Sequence, residues 1–167
     1  MISDKMTAAL NRQINAELYS SYLYLSMSAY AAESGYPGAA NWFFIQVKEE
    51  MAHAQRTYDY VCSQDAHIEL EVIDKPPTQF ESLKHVFEET LKHERKVTAM
   101  VNDMVGLAQA EKDHGTYNFL LWFVDEQIEE EENVRDLIAQ LKLAGDVGPG
   151  AMMLDKELRA RVFTTPV

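Results

Sequence analysis

LNRQINAELYSSYLYLSMSAYA, residues 10–31, and FEETLKHERKVTAMVNDMVGLA, residues 87–108, decide the fold. In the first, Leu10, Ile14, Glu17, Ser21, Tyr24, Ser28 and Ala31 recur at alternating steps of 4 and 3, which is one face of an α-helix. Adding 77 to each number gives Phe87, Leu91, Glu94, Thr98, Val101, Val105 and Ala108 in the second. The offset continues: Gly38 maps to Gly115, Asn41 to Asn118, Val47 to Val124, Glu49 to Glu126, Glu50 to Gln127 and His53 to Glu130. The chain therefore reads as two duplicated helical hairpins with an approximate two-fold relation. One residue disturbs each stripe. Glu17 and Glu94 occupy matching places among core-type neighbours. A single glutamate on such a stripe is ordinarily a solvated residue at its edge. Two at matching places are expensive to bury unless paired or bound to a cation.

Gly and Pro punctuate the chain at residues 34–38, 66–79, 112–115 and 145–150. The stretches between them carry helical spacing and good helix formers, predicting helices over 4–34, 38–64, 79–111 and 116–143 and a short fifth over about 151–161. Thr78-Gln79-Phe80-Glu81 fits a capping box that would open the third helix. Short first and third connections make antiparallel hairpins. The second, about 14 residues with Ile68, Leu70, Val72 and Ile73, is long enough to cross the length of a bundle. The expected fold is all-α: a four-helix bundle with one long crossover over 1–145, then a short helix and tail over 146–167.

Composition narrows the function. With 167 residues the chain can bury a full core without disulfides, and its one cysteine, Cys62, excludes a multi-cysteine zinc site. A net charge of −12 disfavours nucleic acid and suits a cationic partner. No apolar run reaches 18 residues, so no membrane span is expected. Met1-Ile2-Ser3-Asp4-Lys5 lacks the layout of a signal peptide, and a cytoplasmic location is expected.

Glu50-Met51-Ala52-His53 adds ligand chemistry. Residues at i and i+3 share a helix face, so Glu50 and His53 aim at one spot. The matching segment is Glu126-Gln127-Ile128-Glu129-Glu130, in which Gln127 and Glu130 share a face. Glu131 and Glu132 read as the solvated side of that acidic run. Four helices thus offer Glu17, Glu50 with His53, Glu94 and Glu130 to one interior point. A carboxylate-rich set with one imidazole suits iron or manganese better than structural zinc. Glu50 is central and the natural bridge between two ions, and Glu49, Glu126 and Glu129 could hold a third.

These motifs, with Leu18-Tyr19-Ser20-Ser21, Tyr117-Asn118-Phe119-Leu120 leading to Trp122, and Leu154-Asp155-Lys156-Glu157-Leu158, make the chain resemble a prokaryotic non-haem ferritin over nearly its whole length. The resemblance implies a ferroxidase that oxidises Fe(II) with O2 or hydrogen peroxide and stores ferric mineral in a hollow homo-oligomer of 24 subunits. It implies one iron site at Glu17, Glu50 and His53, a second at Glu50, Glu94 and Glu130, and a third at Glu49, Glu126, Glu129 and Glu130. Gln127 becomes a hydrogen-bonding neighbour of the iron pair, and Tyr24 an electron donor or hydrogen-bonding group beside it. Haem is not expected. Met51 stands where haem-binding relatives place their haem methionine, but packing explains it as well. The alternatives are a haem-binding, bacterioferritin-like variant and a metal-free structural bundle. A rubrerythrin-like peroxidase would need four cysteines, a hydroxylase would need length for a substrate pocket, and a DNA-protecting mini-ferritin would place its ligands between subunits.

Overall fold

The computed structural model describes residues 2–145 and 147–164. Met1, Asp146 and residues 165–167, which the expected domain bounds include, lie outside the described residues. Five helices follow in order: α1 Asp4–Glu33, α2 Pro37–Ser63, α3 Leu83–Glu111, α4 His114–Ala144 and α5 Pro149–Leu158. No helix among the described residues is long and apolar enough to cross a membrane.

The chemistry of the helix ends is local at three starts and long-range at one. Ser3 Oγ accepts from the Met6 amide at α1, and Asp113 Oδ1 from the Thr116 amide at α4. Asp113 thus moves the start of α4 two residues ahead of the expected Thr116. At α3 the cap is Ser82, whose Oγ accepts from the His85 amide. The helix therefore begins at Leu83, and the capping box expected at Thr78–Glu81 does not form. The reason is tertiary. Ser26 Oγ donates to the Pro77 carbonyl, and the Phe80 ring meets Tyr30 edge-on at 5.2 Å. Those contacts hold the end of the crossover against α1 in a conformation that is not helical. At α2, Pro37 takes the first helical position, and the side-chain cap comes from α5: Asp155 Oδ1 accepts from the Ala39 amide at 2.9 Å. Gly38 makes room, since a Cβ there would lie 1.6 Å from the Asp155 carbonyl oxygen.

Contacts between helices fix the topology. Ser21 bonds to the Val47 carbonyl and Ser28 to that of Ala40, so α1 and α2 are antiparallel. Ser3 reaches Glu111, and Thr90 reaches Met27, so α1 and α3 are antiparallel as well. Gln46 reaches Glu130 and Tyr60 reaches Thr116, which makes α2 and α4 antiparallel. The diagonal pair α2 and α3 is consequently parallel, as a bundle-length crossover requires. Backbones approach closely in α1/α2, α3/α4 and α1/α3, whereas α2 and α4 meet through long side chains.

The core is split in two. One apolar cluster gathers Tyr24, Met27, Phe43, Phe87 and Leu141 with Leu154 of α5. The other gathers Met6, Leu10, Ile14, Val61, Val101, Leu120 and Phe123. Between the two runs a layer of buried polar side chains, among them Gln13, Glu17, Gln46, Glu50, His53, Glu94, Gln127 and Glu130. A bundle stabilised by apolar burial alone would have a continuous stripe here.

Candidate metal centre

Each helix of the bundle sends an acid into the polar layer. Glu17 comes from α1, Glu50 and His53 from α2, Glu94 from α3 and Glu130 from α4, and none is more than 4% exposed. Ligand atoms of Glu17, Glu50 and His53 lie within 4.8 Å of one another, a grouping that could hold a metal ion. Glu50 and His53 stand one turn apart, with His53 Nδ1 3.6 Å from Glu50 Oε2. The other ring nitrogen, Nε2, is 3.5 Å from Glu126 Oε1 of α4. The His53 ring is packed edge-on against Trp122 at 5.4 Å, with Phe123 at 6.2 Å.

Glu94 and Glu130 lie outside that tight trio and are held by hydrogen bonds around it. Tyr24 Oη donates to Glu94 Oε1, and Gln127 Nε2 donates to Glu94 Oε2 at 3.1 Å. Gln46 Nε2 donates to Glu130 Oε2 at 2.9 Å, and Gln13 Nε2 donates to Glu17 Oε1 at 2.7 Å. The duplication is visible here: Glu17 neighbours Glu50 in one hairpin, and Glu94 neighbours Gln127, the residue matching Glu50, in the other. The expected third group is looser. Glu49 is largely covered and paired with Arg161, Glu126 is partly covered, and Glu129 is exposed. Glu131, expected in solvent, instead bridges α3 and α4: it accepts from Thr98 Oγ1 at 2.8 Å and pairs with Arg95 and Arg135. Met51 is half-exposed on the surface of α2.

The electrostatics of the layer are unbalanced. Burial pushes Glu17 up to about 8, and the neighbouring Glu50 adds to the rise. Burial also brings Glu94 and Glu130 to about 8, with Glu17 adding to the first and Glu94 to the second. Glu50 is raised by burial too, against the pull of His53. For His53 burial works downward, but the carboxylates of Glu126, Glu50 and Glu17 outweigh it and hold the imidazole well above its ordinary value. Four carboxylates thus share one imidazole. Such a layer holds protons while empty and gives them up to a multivalent cation. Oxygen donors in this number suit a hard or borderline metal ion.

Of the residues that orient these acids, sequence reasoning named Tyr24 and Gln127 and missed Gln13, Gln46 and Arg161. Gln13 stands four residues before Glu17, the carboxyl it reaches, so a local spacing signal existed for it; Gln46 reaches Glu130 of α4, which no local spacing indicates. Arg161 gave no comparable signal.

The comparisons with known proteins agree with this geometry. The family model described as "Ferritin-like domain" matches residues 7–144. A protein of Bacteroides fragilis named "Bacterial non-heme ferritin" is 42% identical over 161 residues, covering 96% of this chain and 100% of that one. Its namesake in Campylobacter jejuni is 38% identical over 159 residues, covering 95% of each. Among solved structures, an open-pore ferritin from Archaeoglobus fulgidus superposes with a TM-score of 0.95 at 43% identity, covering 97% of this chain and all of that one. With the motifs, the fold and these likenesses in agreement, the chain belongs to the ferritin-like family, among the prokaryotic non-haem ferritins.

Proposed function

We propose that this protein oxidises Fe(II) at the polar layer and stores the ferric product inside a closed homo-oligomer of 24 copies. Iron is the substrate and the cargo. The observation that carries the reading is the buried convergence of Glu17, Glu50 and His53, flanked by Glu94 and Glu130, with too little positive charge to neutralise it. Two Fe(II) ions bind there, with Glu50 between them. Glu17 and His53 complete one position, and Glu94 and Glu130 the other. Glu126 Oε1 stands 3.5 Å from His53 Nε2 as its counter-charge, and Nδ1 faces Glu50 and the ion. Oxygen donors favour Fe(III) over Fe(II), so two electrons pass to O2 or to hydrogen peroxide, and the carboxyl protons are released as the ions bind. Gln127 and Tyr24 keep Glu94 aimed, and in this reading Tyr24 also serves as an electron donor beside the pair. Glu49, Glu126 and Glu129 take a third ion on the way to storage. The likeness to proteins named as ferritins supports the same reading.

The experiment is Glu50→Ala. The variant should assemble normally and oxidise Fe(II) at least about tenfold more slowly, since even outer partners of a metal site are worth roughly 10–100-fold. Equal initial rates in the variant and the unmodified protein would refute the assignment.

A further inference from the structure

Among the described residues the segment after α5 turns back along α2, and Arg161 reaches Glu49, which adjoins the candidate metal ligand Glu50. Arg161 is fixed there by four contacts. Its main-chain carbonyl accepts from Asn41 Nδ2 at 3.0 Å. Its guanidinium carbon lies 4.7 Å from the centre of the Trp42 ring. Nη1 donates to the Trp42 carbonyl at 3.4 Å, and Nη2 donates to Glu49 Oε2 at 2.6 Å. Both partners of that ion pair are mostly covered, at 24% and 14% exposure. A charge-assisted bond that short, between screened groups and with the guanidinium already stacked, is held far better than a surface pair.

The position of the pair matters more than its strength. Glu49 precedes Glu50 in the chain, and Glu126 and Glu129 of α4 act on Glu49 as like charges. Arg161 is charged at every pH the protein meets. A divalent ion approaching Glu49 therefore meets a carboxylate already engaged by a cation of the chain itself.

We propose that Arg161 is a built-in competitor for the third ion: its guanidinium occupies Glu49, and a metal ion settles among Glu49, Glu126 and Glu129 only by displacing it. This deepens the reading above and rests on it. The competition keeps the third position weaker than the pair, so ions pass through it instead of lodging there. Arg161 is in this sense a positioning residue, acting through Glu49.

The test is anaerobic calorimetric titration of the assembled protein with Zn(II), which no oxidant consumes, with anomalous diffraction from Zn(II)-soaked crystals to locate each ion. The unmodified protein should take up two tighter equivalents and a weaker third with its peak at Glu49. Arg161→Gln should tighten the third about tenfold, the scale of removing one nearby charge at a partly covered site, and leave the first two unchanged. Arg161→Lys keeps the charge and should stay near the unmodified protein. Glu49→Gln should abolish the third equivalent in every background. A third equivalent with the same affinity in Arg161→Gln overturns the proposal. So does equal tightening in Arg161→Lys, which would trace the effect to lost stacking on Trp42. Absence of the two tighter equivalents from the unmodified protein is a different failure: it overturns the reading of the metal pair, and the competition with it.

Discussion

Glu94 is the clearest case of a side chain whose surroundings are arranged in advance. Two donors from two other helices, Tyr24 Oη and Gln127 Nε2, fix both of its oxygens. Tyr24→Phe leaves the Gln127 amide alone on that carboxyl. Glu94 holds its proton at neutral pH, so a hydrogen bond lost to this neutral carboxyl is worth about 0.5–1.5 kcal/mol, and the metal-free variant should melt at a lower temperature in calorimetry. An unchanged melting temperature would mean that Tyr24 contributes packing alone. At this scale the sequence was most legible where a residue broke a pattern. Glu17 and Glu94 interrupt stripes of core-type residues, and the structure buries both to 1%. Gln13 and Gln46 were harder, because an amide on a helix face breaks no rule. Their meaning lies in the carboxylates they reach, and for Gln46 that carboxylate is on another helix.

Helices as units were legible in number, order and approximate length. Their ends were less so. Thr78-Gln79-Phe80-Glu81 satisfies the capping pattern, yet Phe80 is used to pin the crossover to Tyr30, and Ser82 becomes the cap. Ser82→Ala should therefore destabilise the protein by about 1 kcal/mol. Thr78→Ala, at an exposed site, should stay within about 0.5 kcal/mol of zero. Thermal unfolding of the two variants side by side decides which residue starts α3. The start of α2 has the opposite difficulty. Its cap is Asp155, and no local window of sequence contains both partners. Gly38→Ala puts a methyl group into the Asp155 carbonyl and should cost about 2 kcal/mol or more while loosening α5. Faster proteolysis after residue 145, together with a lower melting temperature, is the expected result.

Across the whole molecule, the polar layer couples stability to pH. Glu17, Glu94 and Glu130 hold protons in the folded chain up to about 8, against an ordinary value of 4.5. Between those values the folded state binds more protons than the unfolded one. Stability is then fullest below the unfolded value and declines as pH rises through the folded one. His53, raised as well, works in the same direction above its ordinary value of 6.5. Metal-free protein should melt at a lower temperature near pH 8 than near pH 5. Bound Zn(II) should reduce or reverse the difference, because it stabilises the ionised layer. A metal-free protein that is equally stable at both values would contradict the electrostatics described for the layer. The overall architecture was legible from the 77-residue repeat, since duplicated stripes of equal length can close only on each other. The return of the last segment onto α2 was not, because Arg161 and Glu49 are 112 residues apart and neither departs from a pattern.

Asp155 has a consequence for biosynthesis. The amide it receives belongs to residue 39, so the first turn of α2 waits, during translation, for a partner made more than a hundred residues later. A nascent chain halted before that point leaves the ribosome with one end of its second helix unfinished. Completion of that helix end therefore follows the synthesis of α5, the helix that leads into Arg161.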